Sequence, residues 1–250
     1  LAVAGIGTGT LVMVPLVEWV IDNQGWRDAY RLLAIMTAVL LTVAAIGAHR
    51  PPTSAASPVP IREAIRGRVD FWILYVSSIL ISITLFTPFV FLADYIDTVG
   101  GTGSAAVLLG LIGMSSIAGR LGFGAVAARI GITGLYQLSF LVLSLSVLLW
   151  IVADTSYSLL ILFAVVLGVA YGGFIALSPA VVAVRFGVVG MGGVLGALYT
   201  AAGVGGLVGP PTIGAIIDAS GHTAAQITAL VSGLLGTALL LTMRPPPTPV

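Results

Sequence analysis

The chain has 250 residues, 58% hydrophobic and 8% charged, with ten arginines, no lysine, no cysteine and a formal net charge of +1. Soluble domains carry about a quarter charged residues, so this composition, with a mean hydropathy of +1.15, excludes one. Absent cysteine excludes a disulfide framework and thiolate metal sites, and a net charge near zero gives no case for nucleic-acid binding.

A bilayer crossing needs about 20 mostly apolar residues. Hydropathy and turn signals give eight candidate spans, at roughly 1–21, 29–48, 71–93, 104–127, 132–153, 157–183, 190–217 and 223–243. Backbone groups facing lipid must be satisfied within their own segment, so all are expected to be helices. Long runs such as YQLSFLVLSLSVLLWIVA argue against the short alternating segments of a β-barrel. The expected class is therefore an all-α integral membrane protein. The first span begins with the opening LAVAGIGTGT, which has no initiating methionine and no basic segment of a signal peptide, and the chain is read as part of something longer. Between the second and third spans lies HRPPTSAASPVPIREAIRGRVD, residues 49–70, a linker with a candidate short amphipathic helix at 60–68.

The connections sort by charge. One side of the membrane holds Arg50, Arg62, Arg66, Arg68, Arg120, Arg129, Arg185 and Arg244. The other holds Arg27 and Arg31 among Glu18, Asp22, Asp28, Asp94, Asp97, Asp154 and Asp218. Arginine excess marks the cytoplasmic face, which places both ends of the chain in the cytoplasm of a multi-pass protein of the plasma membrane. Acidic-lipid contact by the linker arginines is an alternative to a purely topological role.

GTGTLVMVPLVEWVIDNQG, residues 7–25, and GVGGLVGPPTIGAIIDASG, residues 203–221, align without a gap after a shift of 196 positions. Gly7 falls on Gly203, Gly9 on Gly205, Leu11 on Leu207, Val12 on Val208, Pro15 on Pro211, Ile21 on Ile217, Asp22 on Asp218 and Gly25 on Gly221, eight identities in nineteen positions. The following helices end alike, in GAHRPPT and LTMRPPPT. The first span thus repeats as the seventh and the second as the eighth, which implies a six-helix unit and twelve helices in two units, four of them preceding this stretch. Residues 1–48 are then the last two helices of a first bundle, 49–70 the linker, 71–244 a complete second bundle and 245–250 a cytoplasmic tail. Small residues allow close helix approach in lipid, and Pro15, Pro210 and Pro211 free backbone carbonyls and bend helices. This fits a gate between two rocking bundles, the alternative being tight packing in a static protein.

The chain resembles the major facilitator superfamily on three stretches. GRLGFGAVAARIG, residues 119–131, resembles the family's G-x-x-x-D-R-x-G loop, with Gly119 ahead of it and Gly124, Arg129 and Gly131 in register, but with Ala128 where that pattern has aspartate. YGGFIALSPAVVAVRFG and GALYTAAGVGGLVGPPTIGAIIDASG resemble helices ten and eleven of the branch of monocarboxylate transporters and oxalate–formate antiporters. GIGTGTLVMVPLVEWVIDNQGWR is similar to that branch's fifth helix. The resemblance implies the major facilitator fold and an arginine in the eighth helix that binds a substrate carboxylate; Arg120 stands at the matching place. Ser116 occupies the position where some members pair that arginine with aspartate. The lysine that oxalate antiporters use has no counterpart.

Charges at membrane depth are costly and are candidate sites by default. Arg120 lies about four turns into its expected span, roughly 9 Å from the bilayer midplane at 1.5 Å per residue, and its planar guanidinium suits a carboxylate; the alternative is snorkelling to the headgroups. Tyr171 and Tyr199, near the middle of their spans, offer a hydroxyl on an apolar body or simple packing. Ser82, Thr84 and Thr87 are weaker candidates, because such hydroxyls often bond their own helix. No acid lies at mid-depth, so a co-transported proton would need coupling residues outside this stretch; exchange or uniport is the alternative. No metal or cofactor is expected. His49 and His222 both lie in connections and no G-x-S-x-G elbow exists, which argues against an intramembrane enzyme. The expected function is secondary transport of a small organic anion by alternating access. The alternatives are efflux of a hydrophobic, drug-like compound, or a truncated chain inactive by itself.

Overall fold

The computed structural model of the chain describes residues 4–47, 65, 67–99, 103–188 and 191–243. Among these there are only helices: α1 (Ala4–Gln24), α2 (Trp26–Gly47), α3 (Val69–Val99), α4 (Ala105–Ile130), α5 (Ile132–Ala153), α6 (Tyr157–Phe186) and α7 (Met191–Leu241). The candidate helix at 60–68 falls mostly outside the described residues. Six helices, α2 to α7, are long and apolar enough to cross a membrane.

Where eight spans are read from sequence, seven helical stretches are observed, because the last two spans run together through residues 218–222. A straight helix of 51 residues would be ~76 Å long, more than twice the hydrocarbon thickness of a bilayer. Gly221, at φ 83° and ψ 174°, breaks it into two arms. That backbone region is accessible essentially only to glycine. Both arms return to α3. The first presents Ala201, Gly205, Gly209 and Ile213, a buried stripe at intervals of four residues, to α3. A Cβ on Gly205 would sit 2.6 Å from Ser82 Cβ and 2.8 Å from the Ile79 carbonyl oxygen. The second arm is sewn on by hydroxyls: Thr84 donates to the Ala229 carbonyl (2.6 Å) and Ser232 to the Leu80 carbonyl (2.9 Å). Side-chain to backbone bonds of this kind hold helices together where no water competes.

α5 and α6 close the core. Trp150 stacks on Phe163 with ring centroids 5.4 Å apart, and Tyr136 packs on Phe140 at 4.9 Å. All four are fully buried. α1 packs along α4, and α2 touches little except α1. Most of α2 is exposed.

The alternation of helix direction is visible in the contacts at each end. At one end Arg185 pairs with Asp70 at 3.3 Å, Arg68 donates to the Arg185 carbonyl, and the Arg68 guanidinium lies 4.7 Å from the Phe186 ring. At the other, His222 meets Asp94 at 3.2 Å, Tyr95 donates to the Asp154 carbonyl (3.1 Å) and Tyr157 to the Ser104 carbonyl (3.0 Å). The basic and acidic sorting seen in sequence therefore corresponds to two physical ends of the bundle.

Candidate functional site

Glycines decide where the candidate cation lies. On α4 a Cβ at Gly119 would overlap the Val169 carbonyl oxygen, and on α6 a Cβ at Gly172 would overlap that of Ser116 and lie 3.0 Å from the Arg120 nitrogen. A turn away, a Cβ at Gly168 would stand 2.5 Å from the Ile112 carbonyl. The two backbones therefore touch, as small residues permit in a membrane. This seam brings Arg120 against α6, with its guanidinium carbon 5.9 Å from the centre of the Tyr171 ring. The separation is within the range of a cation–π contact. Arg120 is only 7% exposed and lies ~4 Å from the midpoint of α4 at 1.5 Å per residue. α4 itself runs on to Ile130.

Tyr171 in turn lines a cavity of about 240 Å³ between α3, α6 and the first arm of α7. α3 contributes Ser82, Leu85, Phe86 and Phe89, at helical spacing on one face; α6 contributes Tyr171, Phe174 and Ile175, and α7 Ala202. Phe89 meets Tyr171 edge to face at 6.2 Å. The arrangement is an apolar, ring-lined chamber with a buried cation next to one wall. In such low-dielectric surroundings a fixed positive charge acts strongly on a nearby anion.

The structure thus brings Arg120 and Tyr171 together. It does not bring Ser116 or Tyr199 to the cavity wall. Ser116 is fully buried in the α4–α6 seam and donates to the Gly113 carbonyl at 2.7 Å. Tyr199 is 45% exposed and is absent from the cavity lining. Thr84 and Thr87 are engaged with backbone carbonyls of Ala229 and Ile83. The residues that sequence reasoning passed over are the phenylalanines, Leu85, Ile175 and Ala202. In helices apolar all round, nothing in the period separates a ring that faces a cavity from one that faces the core or lipid.

The motif residues have structural rather than binding places. Gly119 makes the seam. Gly124 faces open space, Arg129 is exposed in the last turn of α4, and Gly131 (φ 99°) forms the one-residue joint to α5. α1 runs through Pro15 and α7 through Pro210 and Pro211 with helical backbone. Gly7 and Gly203 lie inside these helices, and Asp22 and Asp218 are exposed near their ends. Among the described residues, no group of three or more His, Asp or Glu side chains could hold a metal ion.

Several apolar spanning helices around a chamber with a buried arginine define a polytopic helical membrane protein. Residues 1–156 match the family model of the Major Facilitator Superfamily. The chain is 30% identical over 248 residues to the MFS transporter asaE of Aspergillus flavus, covering 96% of this chain and 56% of that protein. It is 30% identical over 257 residues to monocarboxylate transporter 13 of Rattus norvegicus, covering 97% and 58%. Monocarboxylate transporter 11 of Homo sapiens is 30% identical over 256 residues, covering 94% and 53%. The chain belongs to the Major Facilitator Superfamily, in its monocarboxylate-transporter-like branch. The curated relatives it matches are named as transporters. It spans little more than half the length of the curated relatives it matches.

Proposed function

We propose that the protein carrying this chain is a secondary transporter of a small organic anion of the monocarboxylate type, working by alternating access. The chain supplies the last two helices of one bundle (residues 1–48), a linker (49–70), a second six-helix bundle (71–244) and a tail (245–250). The second bundle rests on counting the two arms of α7 as separate crossings, which makes eight in this stretch. Both ends lie in the cytoplasm, with the Arg68–Asp70–Arg185 end inward and the His222–Asp94 end outward, in a plasma-membrane protein. A co-transported proton, if used, enters through residues beyond this stretch.

The observation that carries the reading is Arg120: 7% exposed, near the centre of a spanning helix, and 5.9 Å from a ring that lines the cavity. A membrane-buried arginine is kept there at a cost and marks an anion pathway. Uptake of labelled lactate and propionate into proteoliposomes by the full-length protein tests it. Arg120→Gln is expected to lower uptake of both by about tenfold or more, and unchanged uptake refutes the assignment. The apolar lining also fits an uncharged hydrophobic cargo. At about 240 Å³, however, the cavity is smaller than the ~300–1,000 Å³ of drug-sized pockets.

A further inference from the structure

A second cavity, of about 320 Å³, is an open groove on the outside of the bundle, where α4, α5 and α6 adjoin. α4 supplies Gly119, Gly122, Val126 and Ile130, which recur at helical spacing on one face, and α5 supplies Leu135 and Leu138. The two helices meet at Gly131, whose φ of 99° turns the chain in one residue, and touch little beyond that joint. Gly122 keeps the groove open, since a Cβ there would meet nothing within 4 Å. Val126, Ile130 and Leu138 stay exposed along it.

Length, volume and charge decide what covers it. From Gly119 to Ile130 the groove runs ~16 Å along α4 at 1.5 Å per residue, about half of a ~30 Å hydrocarbon core and so the depth of one leaflet. Its volume equals that of about eleven water molecules in the liquid. A methylene group is of similar size, so one acyl chain fills it, whereas a helix about 10 Å across does not fit. Arg129 stands at the mouth, three residues after Val126 and therefore on the same face. It is exposed and makes no ion pair among the described residues. α4 and α6 both start at the end where Tyr157 meets Ser104, which puts Arg129 at the same end as Arg185. A guanidinium at headgroup level, with an apolar channel leading inward from it, matches a phosphate joined to a hydrocarbon chain.

We infer that this groove holds one acyl chain of an anionic glycerophospholipid, with the lipid phosphate on Arg129. The inner end of the groove is formed by Gly119 and Val169, the pair whose backbones touch in the α4–α6 seam. The chain therefore packs against the outside of the seam that seats Arg120 on α6. This goes beyond the transport reading and holds whatever the cargo is.

The test is native mass spectrometry of the detergent-solubilised full-length protein, given dipalmitoyl phosphatidylglycerol, dipalmitoyl phosphatidylcholine, dihexanoyl phosphatidylglycerol or palmitate at equal concentration. The wild type is expected to retain dipalmitoyl phosphatidylglycerol about fivefold more than the phosphatidylcholine, the effect of one basic side chain beside an anionic headgroup. It is expected to lose the dihexanoyl lipid, whose chains are too short to fill the groove. Arg129→Gln is expected to remove the fivefold preference and Arg129→Lys to restore most of it. Gly122→Leu fills the groove while favouring the helix, and is expected to lower retention of both long-chain lipids by about threefold or more. Val126→Phe narrows the same groove if Gly122→Leu fails to assemble. Equal retention by the wild type and the groove-filling variant, or of long and short chains, overturns the acyl site. A preference unchanged in Arg129→Gln overturns the headgroup assignment, and palmitate retained as well as dipalmitoyl phosphatidylglycerol overturns the phospholipid. None of these readouts depends on transport, so the carboxylate reading stands or falls separately.

Discussion

The helix that occurs twice, as α1 and as the first arm of α7, keeps its joint but not its environment. Gly25 and Gly221 close the two copies with positive φ, 87° and 83°, and each leads directly into the next helix. The glycines inside the copies diverge. A Cβ on Gly205 would press on Ser82 and the Ile79 carbonyl, whereas one on Gly9 meets nothing within 4 Å. The buried stripe Ala201, Gly205, Gly209 and Ile213 of α7 has no counterpart of similar burial in the described part of α1, where Val20 is the buried residue. A shared sequence motif thus makes the same joint in both copies, while within the described part of this chain only the α7 copy has a helix seated on its small-residue face. Conformation is dictated locally by φ; packing is dictated by the neighbour.

That contrast can be broken in order of expected effect, using thermal unfolding of the detergent-solubilised full-length protein. Gly205→Ala, which places a methyl group against backbone, is expected to destabilise by about 1–3 kcal/mol through overpacking. Gly9→Ala is expected to change stability by no more than a few tenths and to favour the helix slightly. Equal losses at the two sites would show that α1 is packed as tightly as α7. Next, Gly25→Ala and Gly221→Ala each force a side chain into a backbone region that costs about 1–3 kcal/mol. The two losses are expected to match; a loss at Gly221 alone would mean that the joints are not equivalent. Smallest is Asp94→Asn, which removes the carboxylate that His222 meets at 3.2 Å and that is 60% exposed. A loss below about 1 kcal/mol is expected, and a larger one would show that the joint at Gly221 is held by charge as well as by glycine.

Much of this organisation was legible in the sequence. The apolar runs set the helices, and the sorted arginines and acids fall toward the two ends that Arg185–Asp70 and His222–Asp94 mark; that Gly131 and Gly221 are the joints is seen only in their positive φ. The linker reading lies outside the described residues. The site was legible by half. Arg120 stands out because a lone charge in an apolar run is costly and is kept only where it binds something or reaches the headgroups. Tyr171 stands out because it is polar at mid-depth. Tyr199 and Ser116 satisfy the same criteria of depth and chemistry, yet one is largely exposed and the other turned into its own helix. What separates them is the face each helix presents, which is fixed by contacts such as Gly172 on Ser116 between residues 56 positions apart.

The seam between Gly119, Gly168 and Gly172 has a thermodynamic consequence. Because α4 and α6 are in backbone contact there, a Cβ at any of the three glycines would push the helices apart and carry Arg120 away from the Tyr171 ring, so the free energy of that cation–ring contact is tied to the absence of three side chains.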